Sequence, residues 1–210
     1  MFIPRHPVVE NQFCSYASQT DTSSAGVGGV IAYAGSVVYL DAAATNQEPI
    51  VTKFAHGVAA TVAPFGFTMQ KVKTGYHQVH PAGFYMPGDL GSSDVIAQPQ
   101  YNATGTITGT KSAPVGVAHL GIWDTVHYTT EGGAAAATAM LPGQPLRVAA
   151  DEAKVTNDIT NASDGTDDAG EYVDGITTTI ARVIKGASAA KASANINNTT
   201  LYPIRIKLLI

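Results

Sequence analysis

Short runs in which hydrophobic and polar residues alternate recur from about residue 26 to the end of the chain. Such alternation predicts β-strands that are buried on one side, and Gly and Pro turn signals separate the runs. The clearest run extends from Val115 to Tyr128, where Ala118, Leu120 and Ile122 share one face. Further candidate strands cover residues 30–41, 50–62, 65–72, 76–85, 104–110, 146–150 and 176–185. The pattern is typical of antiparallel sheets.

The first 24 residues have a different pattern. Pro4 and Pro7 block regular hydrogen bonding, and residues 15–24 form a polar tract, so we expect an extended N-terminal arm over residues 1–24 rather than a packed element. Its apolar side chains give it something to bury on a partner. They are Phe2, Ile3, Val8, Val9 and Phe13.

The chain ends in a strongly alternating segment. One face of this predicted terminal strand carries Ile204, Ile206, Leu208 and Ile210, and Arg205 and Lys207 occupy the other. An apolar strand of this kind must pair, because an unpaired apolar edge promotes aggregation. It either closes its own sheet or adds to the sheet of a neighbour, in which case these apolar residues bind the partner.

The predicted fold class is all-β, with antiparallel sandwich or barrel modules, at most one short helix and the extended arm. The Ala-rich segment 132–140, ended by Pro142, is balanced between a short helix and an ordered loop. A glycine, an apolar strand and an acid follow one another at 35–41 and again at 143–151. We therefore expect one β module over residues 25–130 and a second over residues 131–210.

Charge and composition remove several classes of protein. The chain has 12 Lys+Arg and 16 Asp+Glu, a net charge of −4 and no basic run, which argues against a nucleic-acid-binding protein. No stretch approaches 18 consecutive apolar residues, so no membrane span is expected, and the first residues lack the apolar segment of a signal peptide. We expect synthesis in a cytoplasm.

The charged fraction is low, at 13% of residues. An ordinary soluble domain has about 25%. A surface of Ala, Thr, Gly and Ser suits contact with neighbouring copies of the chain, which favours a homo-oligomer. The alternative is a weakly charged monomer whose hydroxyls and amides are solvated.

Histidines and acids offer little catalytic chemistry. His77 and His80 point to opposite faces of a strand, so two ligands on one metal ion would require a turn there. Asp124 lies near His127 in sequence, but no nucleophile motif accompanies them.

Two other groups have weak functional signals. Cys14 has no nearby His or helix start to lower its pKa, and as the single cysteine it excludes an intrachain disulfide. The loop at 161–168 has calcium-like residues without the spacing of an EF-hand. We expect no catalytic, cofactor or metal site, and thus not an enzyme.

A family resemblance lies in the C-terminal third. Its segments are Gly-Gln-Pro-Leu-Arg-Val-Ala-Ala-Asp at 143–151, Ile-Ala-Arg-Val-Ile-Lys-Gly-Ala at 180–187 and Leu-Tyr-Pro-Ile-Arg-Ile-Lys-Leu-Leu-Ile at 201–210. Together with the low charge and the single cysteine, they resemble the small β proteins that decorate or cement tailed-bacteriophage capsids. The resemblance implies binding to the outer surface of a capsid lattice as a homo-oligomer, a trimer or a dimer. It implies the major capsid protein of the same virus as partner, the virion exterior as location, and neither catalysis nor cofactor.

Several functions stay open beside this one. Another phage structural subunit, such as a tail tube, a head-fibre base or a minor capsid protein, would share all these features. A carbohydrate- or ligand-binding β-sandwich would need exposed aromatic residues. The candidates for that surface are Tyr76, Tyr85, Tyr101, Trp123 and Tyr128. An enzyme is the most distant alternative.

Overall fold

The computed structural model confirms an all-β fold, with one short helix among the residues that it describes. It describes residues 2–5, 10–18, 30–41, 49–54, 62–74, 95–101, 103–104, 107–130, 137–149, 153–158, 178–196 and 200–210. In chain order, the strands are β1 (Phe2–Pro4), β2 (Glu10–Ser18), β3 (Val30–Ala32), β4 (Val37–Leu40), β5 (Ile50–Lys53), β6 (Gly66–Thr68), β7 (Val72–Thr74), β8 (Val95–Tyr101), β9 (Ile107–Leu120), β10 (Ile122–Thr125), β11 (Tyr128–Thr129), β12 (Pro145–Val148), β13 (Val155–Thr156), β14 (Ala181–Lys185) and β15 (Ile204–Leu208). The helix α1 (Ala189–Ile196) lies between β14 and β15.

Strands β2 to β9 form an eight-stranded sheet in the order β2-β5-β4-β6-β9-β8-β7-β3. Because β2 also pairs antiparallel with β9, the strands β2, β5, β4, β6 and β9 close into a five-stranded barrel. Successive residues of each strand point to opposite sides of the barrel wall. The residues that point inward are apolar and buried, and they fill the interior of the barrel. They include Cys14, Tyr16, Val38, Val51, Val115 and Val117.

The remaining strands form a seven-stranded sheet in the order β1-β10-β15-β14-β12-β13-β11. All of its pairings are antiparallel except that of β11 with β13. Its inner face, which includes Trp123 and Ile206, packs on outward side chains of the barrel such as Val37 and Phe67. The backbone N–H of Val37 also donates to the carbonyl of Ala153 at 2.8 Å. One hydrophobic core therefore joins the two sheets.

The chain changes from one sheet to the other at Gly121, rather than near residue 130. Gly121 has a φ of 112°, a value that favours glycine, and it separates β9 from β10. Strand β10 pairs with β15, so residues 122–130, which we expected in the first module, belong with the C-terminal strands. The N-terminal strand β1 also belongs to this sheet. The hydrophobic pattern along the chain did not predict this.

The N-terminal expectation is wrong for residues 2–5 and 10–18, which are packed strands rather than an arm. Strand β1 pairs with β10 at the edge of its sheet, and β2 is a wall of the barrel. Pro4 is tolerated because an edge strand does not need every backbone N–H for pairing. Phe2 is buried and stacks on Trp123 with ring centroids 4.4 Å apart. The rest of the predicted arm lies outside the described residues.

The terminal strand closes its own sheet, the first of the two alternatives. Strand β15 lies between β10 and β14, and Ile204, Ile206 and Leu208 are buried in the core. Ile210 is half-buried against the same core. Since the three strand residues are fully enclosed, our expectation that they bind a partner is wrong for this fold.

The helix occurs where the sequence analysis did not place it. Residues 137–139 of the predicted segment are not helical, Met140 makes an isolated bridge with Ala187, and residues 132–136 lie outside the described part. The true helix α1 follows Ser188, a residue type that favours helix starts, and is rich in Ala. Within it, the side chain of Asn195 donates to the carbonyl of Val126 at 2.8 Å and accepts from the backbone of Tyr202 at 3.0 Å.

The segment before β12 lies in close backbone contact with the chain just after β14, and Gly186 makes this contact possible. A Cβ atom at this position would lie 1.7 Å from the carbonyl oxygen of Met140. Only glycine allows that backbone contact, so Gly186 fixes the path of the chain into α1. No helix in the described ranges is long and apolar enough to cross a membrane.

Candidate interaction surfaces

The outer face of the seven-stranded sheet is exposed and positively charged. Outward positions of β10, β14 and β15 follow from the register, because directly paired residues of antiparallel strands share a face. Arg182 pairs with Lys207, and Arg205 pairs with both Asp124 and Lys185. Arg5, which follows β1, reaches the same face. We call the set of Arg5, Asp124, Arg182, Lys185, Arg205 and Lys207 the cationic face.

Asp124 organises the centre of the cationic face. Its carboxylate accepts from Arg5 Nε at 2.7 Å and from Arg205 Nε at 2.8 Å, and Arg205 Nη2 adds a contact at 3.3 Å. The carboxylate is buried, whereas both arginine side chains are partly exposed. Asp124 therefore ties β1, β10 and β15 together while both guanidinium groups stay accessible.

These contacts shift the acid equilibrium of Asp124. Hydrogen bonds from Arg205 first, and also from Arg5, hold the pKa of Asp124 below its usual value, although burial acts in the opposite direction. A lowered pKa in the folded state means that the ionised carboxylate stabilises the fold above the unfolded value, about 4. The stabilisation by the ionised carboxylate is lost at lower pH, as the pH falls through the pKa of Asp124 in the folded state.

We expect Asp124→Asn to lower the free energy of unfolding by about 1–2 kcal/mol at pH 7, because charge-assisted hydrogen bonds are lost. The difference from the wild type should be smaller at the lowest pH at which both proteins still fold, since the wild-type carboxyl then takes up a proton as well. Urea unfolding at both pH values measures this. Asp41→Asn is the control, because Asp41 makes a longer hydrogen bond, 3.4 Å from Thr52. An equal loss for Asp124→Asn at both pH values would contradict the electrostatic explanation.

A second candidate surface lies on the barrel, at Phe13. This residue was predicted to bind a partner, and its side chain is 67% exposed. It pairs with Gly116 across β2 and β9, so no cross-strand side chain covers it. Of the other residues predicted from the N-terminal segment, Phe2 is in the core, Ile3 is half-buried, and Val8 and Val9 lie outside the described residues.

The residues that the sequence offered for catalytic chemistry are buried where the structure describes them. Cys14 is buried inside the barrel, and burial raises the pKa of its thiol to about 11. His127 Nε2 lies 3.1 Å from Ser36 Oγ, but Ser36 is fully buried and its hydroxyl also accepts the backbone N–H of Tyr33. This buried Ser–His contact joins the barrel to the second sheet.

The remaining candidates from the sequence are the possible metal ligands and the aromatic residues of a possible ligand-binding surface. No group of three His, Cys, Asp or Glu side chains in the described ranges could hold a metal ion. His77, His80 and the loop at 161–168 lie outside those ranges.

Trp123 and Tyr128 are buried, so they cannot form the exposed aromatic surface that a carbohydrate-binding function would need. Burial raises the pKa of Tyr128 to about 12, and its hydroxyl donates to the carbonyl of Tyr202 at 3.0 Å.

The cationic face was not predicted from the sequence, although part of its signal was present. Arg205 and Lys207 were assigned to the polar side of the terminal strand. The cross-strand register that places Arg182 and Lys185 opposite them is a long-range property and was not visible.

Comparison with known proteins adds no family. No protein-family model matches the chain, and no curated protein matches it either. What the chain does must therefore be inferred from its own residues.

Proposed function

We propose that this protein is a structural component of a tailed-phage virion that binds the outer surface of the capsid lattice and stabilises it. The observation that carries this proposal is the position of the three segments that resemble capsid-decoration proteins. They contain β12, β14 and β15, which are consecutive strands of one sheet. The resemblance thus covers a contiguous structural unit rather than scattered pieces of chain.

The packing also favours a scaffold role. A single core joins a closed barrel to a second sheet, and the N-terminal strand and the C-terminal strand both pair with β10. A well-packed core resists deformation. Such a rigid body suits a protein that holds neighbouring subunits of a shell in place.

The contact with the shell is proposed to involve Phe13. An exposed phenylalanine on a rigid strand loses little conformational freedom on binding and buries a large apolar area. Repetition over many copies of the shell compensates for a small contact at each site. The major capsid protein is the proposed partner, and the proposal involves no cofactor and no catalysis.

Co-sedimentation with capsids of the encoding phage, prepared without this protein, tests the proposal. We expect saturable binding of the full chain at a fixed ratio to the major capsid protein. Phe13→Ala should weaken binding by about tenfold or more, as loss of an aromatic anchor does. Leu201→Ala is the matched control, because Leu201 is also exposed but lies before β15.

The outcomes separate the two parts of the proposal. Wild-type protein that stays in the supernatant at every capsid concentration would show that the function is wrong. Binding that Phe13→Ala leaves unchanged would keep the function and remove Phe13 from the contact.

A further inference from the structure

We propose that the N-terminal strand β1 is exchanged between copies of this chain, so that residues 2–5 of each copy pair with β10 of the other. Strand β1 stays a packed strand in this arrangement, and the contacts that it makes within one copy are made between two. We call the surface that receives it, formed by Gly35, Phe67 and residues 122–125, the β1 site. Its partner is the N-terminal segment of a second copy.

One end of the β1 site receives an aromatic ring. Phe2 is buried, and its ring lies 4.4 Å from that of Trp123 and 5.7 Å from that of Phe67, between ring centroids. Gly35 leaves room for the ring, because a Cβ atom at Gly35 would lie 3.3 Å from Phe2 Cδ2. Gly35, Phe67 and Trp123 all lie outside the N-terminal segment, so they fit Phe2 from either copy.

The other end of the β1 site binds Arg5. The backbone N–H of Arg5 donates to the carbonyl of Ile122 at 2.7 Å, and its Nε donates to the carboxylate of Asp124 at 2.7 Å. Arg205 donates to the same carboxylate at 2.8 Å, so Asp124 is oriented by its own sheet before β1 binds. A ring, a guanidinium and backbone hydrogen bonds together make the site specific for residues 2–5.

The link between β1 and β2 favours exchange. Arg5 lies beside Ile122, and Glu10 pairs with Leu120. Two positions along a strand are no more than about 7 Å apart. The five residue steps from Arg5 to Glu10 reach up to about 17 Å. Pro7 fixes its own φ and biases the residue before it towards extended conformations, so this sequence favours a reach beyond the copy's own β10.

Pro4 limits the exchange to closed pairs of copies. The N–H of Arg5 points towards β10, so the backbone of Pro4, one residue earlier, points away from it. Proline has no N–H, and the free edge of β1 therefore lacks a donor where a further strand would pair. Reciprocal exchange between two copies fills both sites, which gives a twofold dimer rather than an open chain.

Concentration decides between closure and exchange, because both make the same contacts. A short link keeps a copy's own β1 at an effective concentration in the millimolar range. We expect a dilute wild-type chain to be closed, as in the structure, and exchange to become prominent above about 1 mM. Copies held side by side on a shell reach such local concentrations, and only this last step rests on the proposed function.

Two charge-reversed chains test the exchange at lower concentration. Arg5→Asp places an acid beside Asp124, and Asp124→Arg places a base beside Arg5, so each variant disfavours its own closure. Strand β1 of either variant fits the β1 site of the other. After refolding together from urea at about 50 μM, well below the millimolar range of closure, the two should form a dimer. Sedimentation should give twice the 21.7 kDa monomer mass. The mixture should melt at least about 5 °C above either variant alone.

Arg5→Asp mixed with Asp41→Arg is the matched control. This mixture contains the same two changes of charge, but Asp41 follows β4 and accepts a hydrogen bond from Thr52 on β5. It should therefore contain monomers and gain no thermal stability. Circular dichroism of each variant alone shows whether it folds.

A disulfide trap measures exchange with Asp124 unchanged, and it decides the question if Asp124→Arg does not fold. One chain carries Arg5→Cys and the other carries Ile122→Cys. Opposed residues of an antiparallel pair have Cα atoms about 5.5 Å apart, within the range of a disulfide. Non-reducing electrophoresis after oxidation at about 1 mM should show at least about ten times more covalent dimer than a mixture with Lys185→Cys in place of Ile122→Cys. The native Cys14 is buried in both chains.

Three results would overturn the proposal. The first is a mixture of folded charge-reversed variants that keeps the monomer mass and the melting temperatures of its components. The second is an equal amount of dimer in the Asp41→Arg mixture, since charge attraction alone would then explain the association. The third is a disulfide yield for Ile122→Cys no higher than that for Lys185→Cys.

Discussion

Replacing Ile206 with aspartate should prevent the chain from folding to a soluble product. Ile206 is fully buried in the middle of β15, where it pairs with Trp123 on one side and Val183 on the other. The substitution removes a large apolar side chain and places a carboxyl group in the core without a partner, at a cost of more than about 5 kcal/mol. That cost is comparable to the total stability of a typical domain, about 5–15 kcal/mol. The soluble yield and the far-UV circular dichroism spectrum measure the effect.

Lys207→Asp is the matched control for this substitution. Lys207 is the next residue along the strand and points to the exposed outer face, opposite Arg182. The variant should fold and should change stability by no more than about 0.5 kcal/mol, as surface substitutions generally do. A soluble, cooperatively folded Ile206→Asp variant would mean that β15 does not close the sheet of its own chain.

Local patterning was sufficient to predict the sides of β15 but not its neighbours. Alternation along a strand fixes which residues share a face, so the apolar side of residues 204–210 and the cationic side at Arg205 and Lys207 could both be predicted. Which strands lie beside it depends on pairings distant in sequence. The placement of β10 next to β15, and hence the change of sheet at Gly121, could not be derived from spacing.

The N-terminal segment shows why composition misled. Its two prolines and its polar tract indicated an arm, since each of these features is unfavourable in a central strand. The edge strand β1 tolerates Pro4, and the barrel wall β2 contains residues 15–18 of the tract. The side chain that anchors β1 is Phe2, and its stacking partners Phe67 and Trp123 are distant in sequence, so no local signal marked it as core.

The two candidate surfaces differ in how far they could be predicted. Phe13 was selected as one of the apolar residues of the predicted arm, and its side chain is exposed. Its binding to a partner stays a prediction. The cationic face depends on the register of β14 against β15, including the shift after Val183. A change of register by one residue would turn Arg182 inward, so this surface exists only through tertiary pairing.

Phe2→Ala should destabilise the fold by about 3–4 kcal/mol, the usual cost of removing a buried phenylalanine. The Phe2 ring is buried and lies between two others, with centroids 4.4 Å from Trp123 and 5.7 Å from Phe67. Its loss leaves a cavity where the barrel meets the second sheet and weakens the pairing of β1 with β10. For a chain of this length each kcal/mol lowers the melting temperature by about 2–4 °C, so a decrease of about 10 °C is expected. Differential scanning calorimetry measures it.

Phe13→Ala provides the matched comparison, because it removes the same side chain from an exposed position of the same N-terminal segment. Its melting temperature should stay within about 2 °C of the wild type, since little buried area is lost. If Phe2→Ala also leaves the melting temperature unchanged, β1 is not part of the cooperative fold, and residues 2–5 are the partner-binding arm that their composition indicates. If only Phe2→Ala melts early, this segment combines two separate roles. Phe2 anchors the core, and Phe13 remains available for a partner.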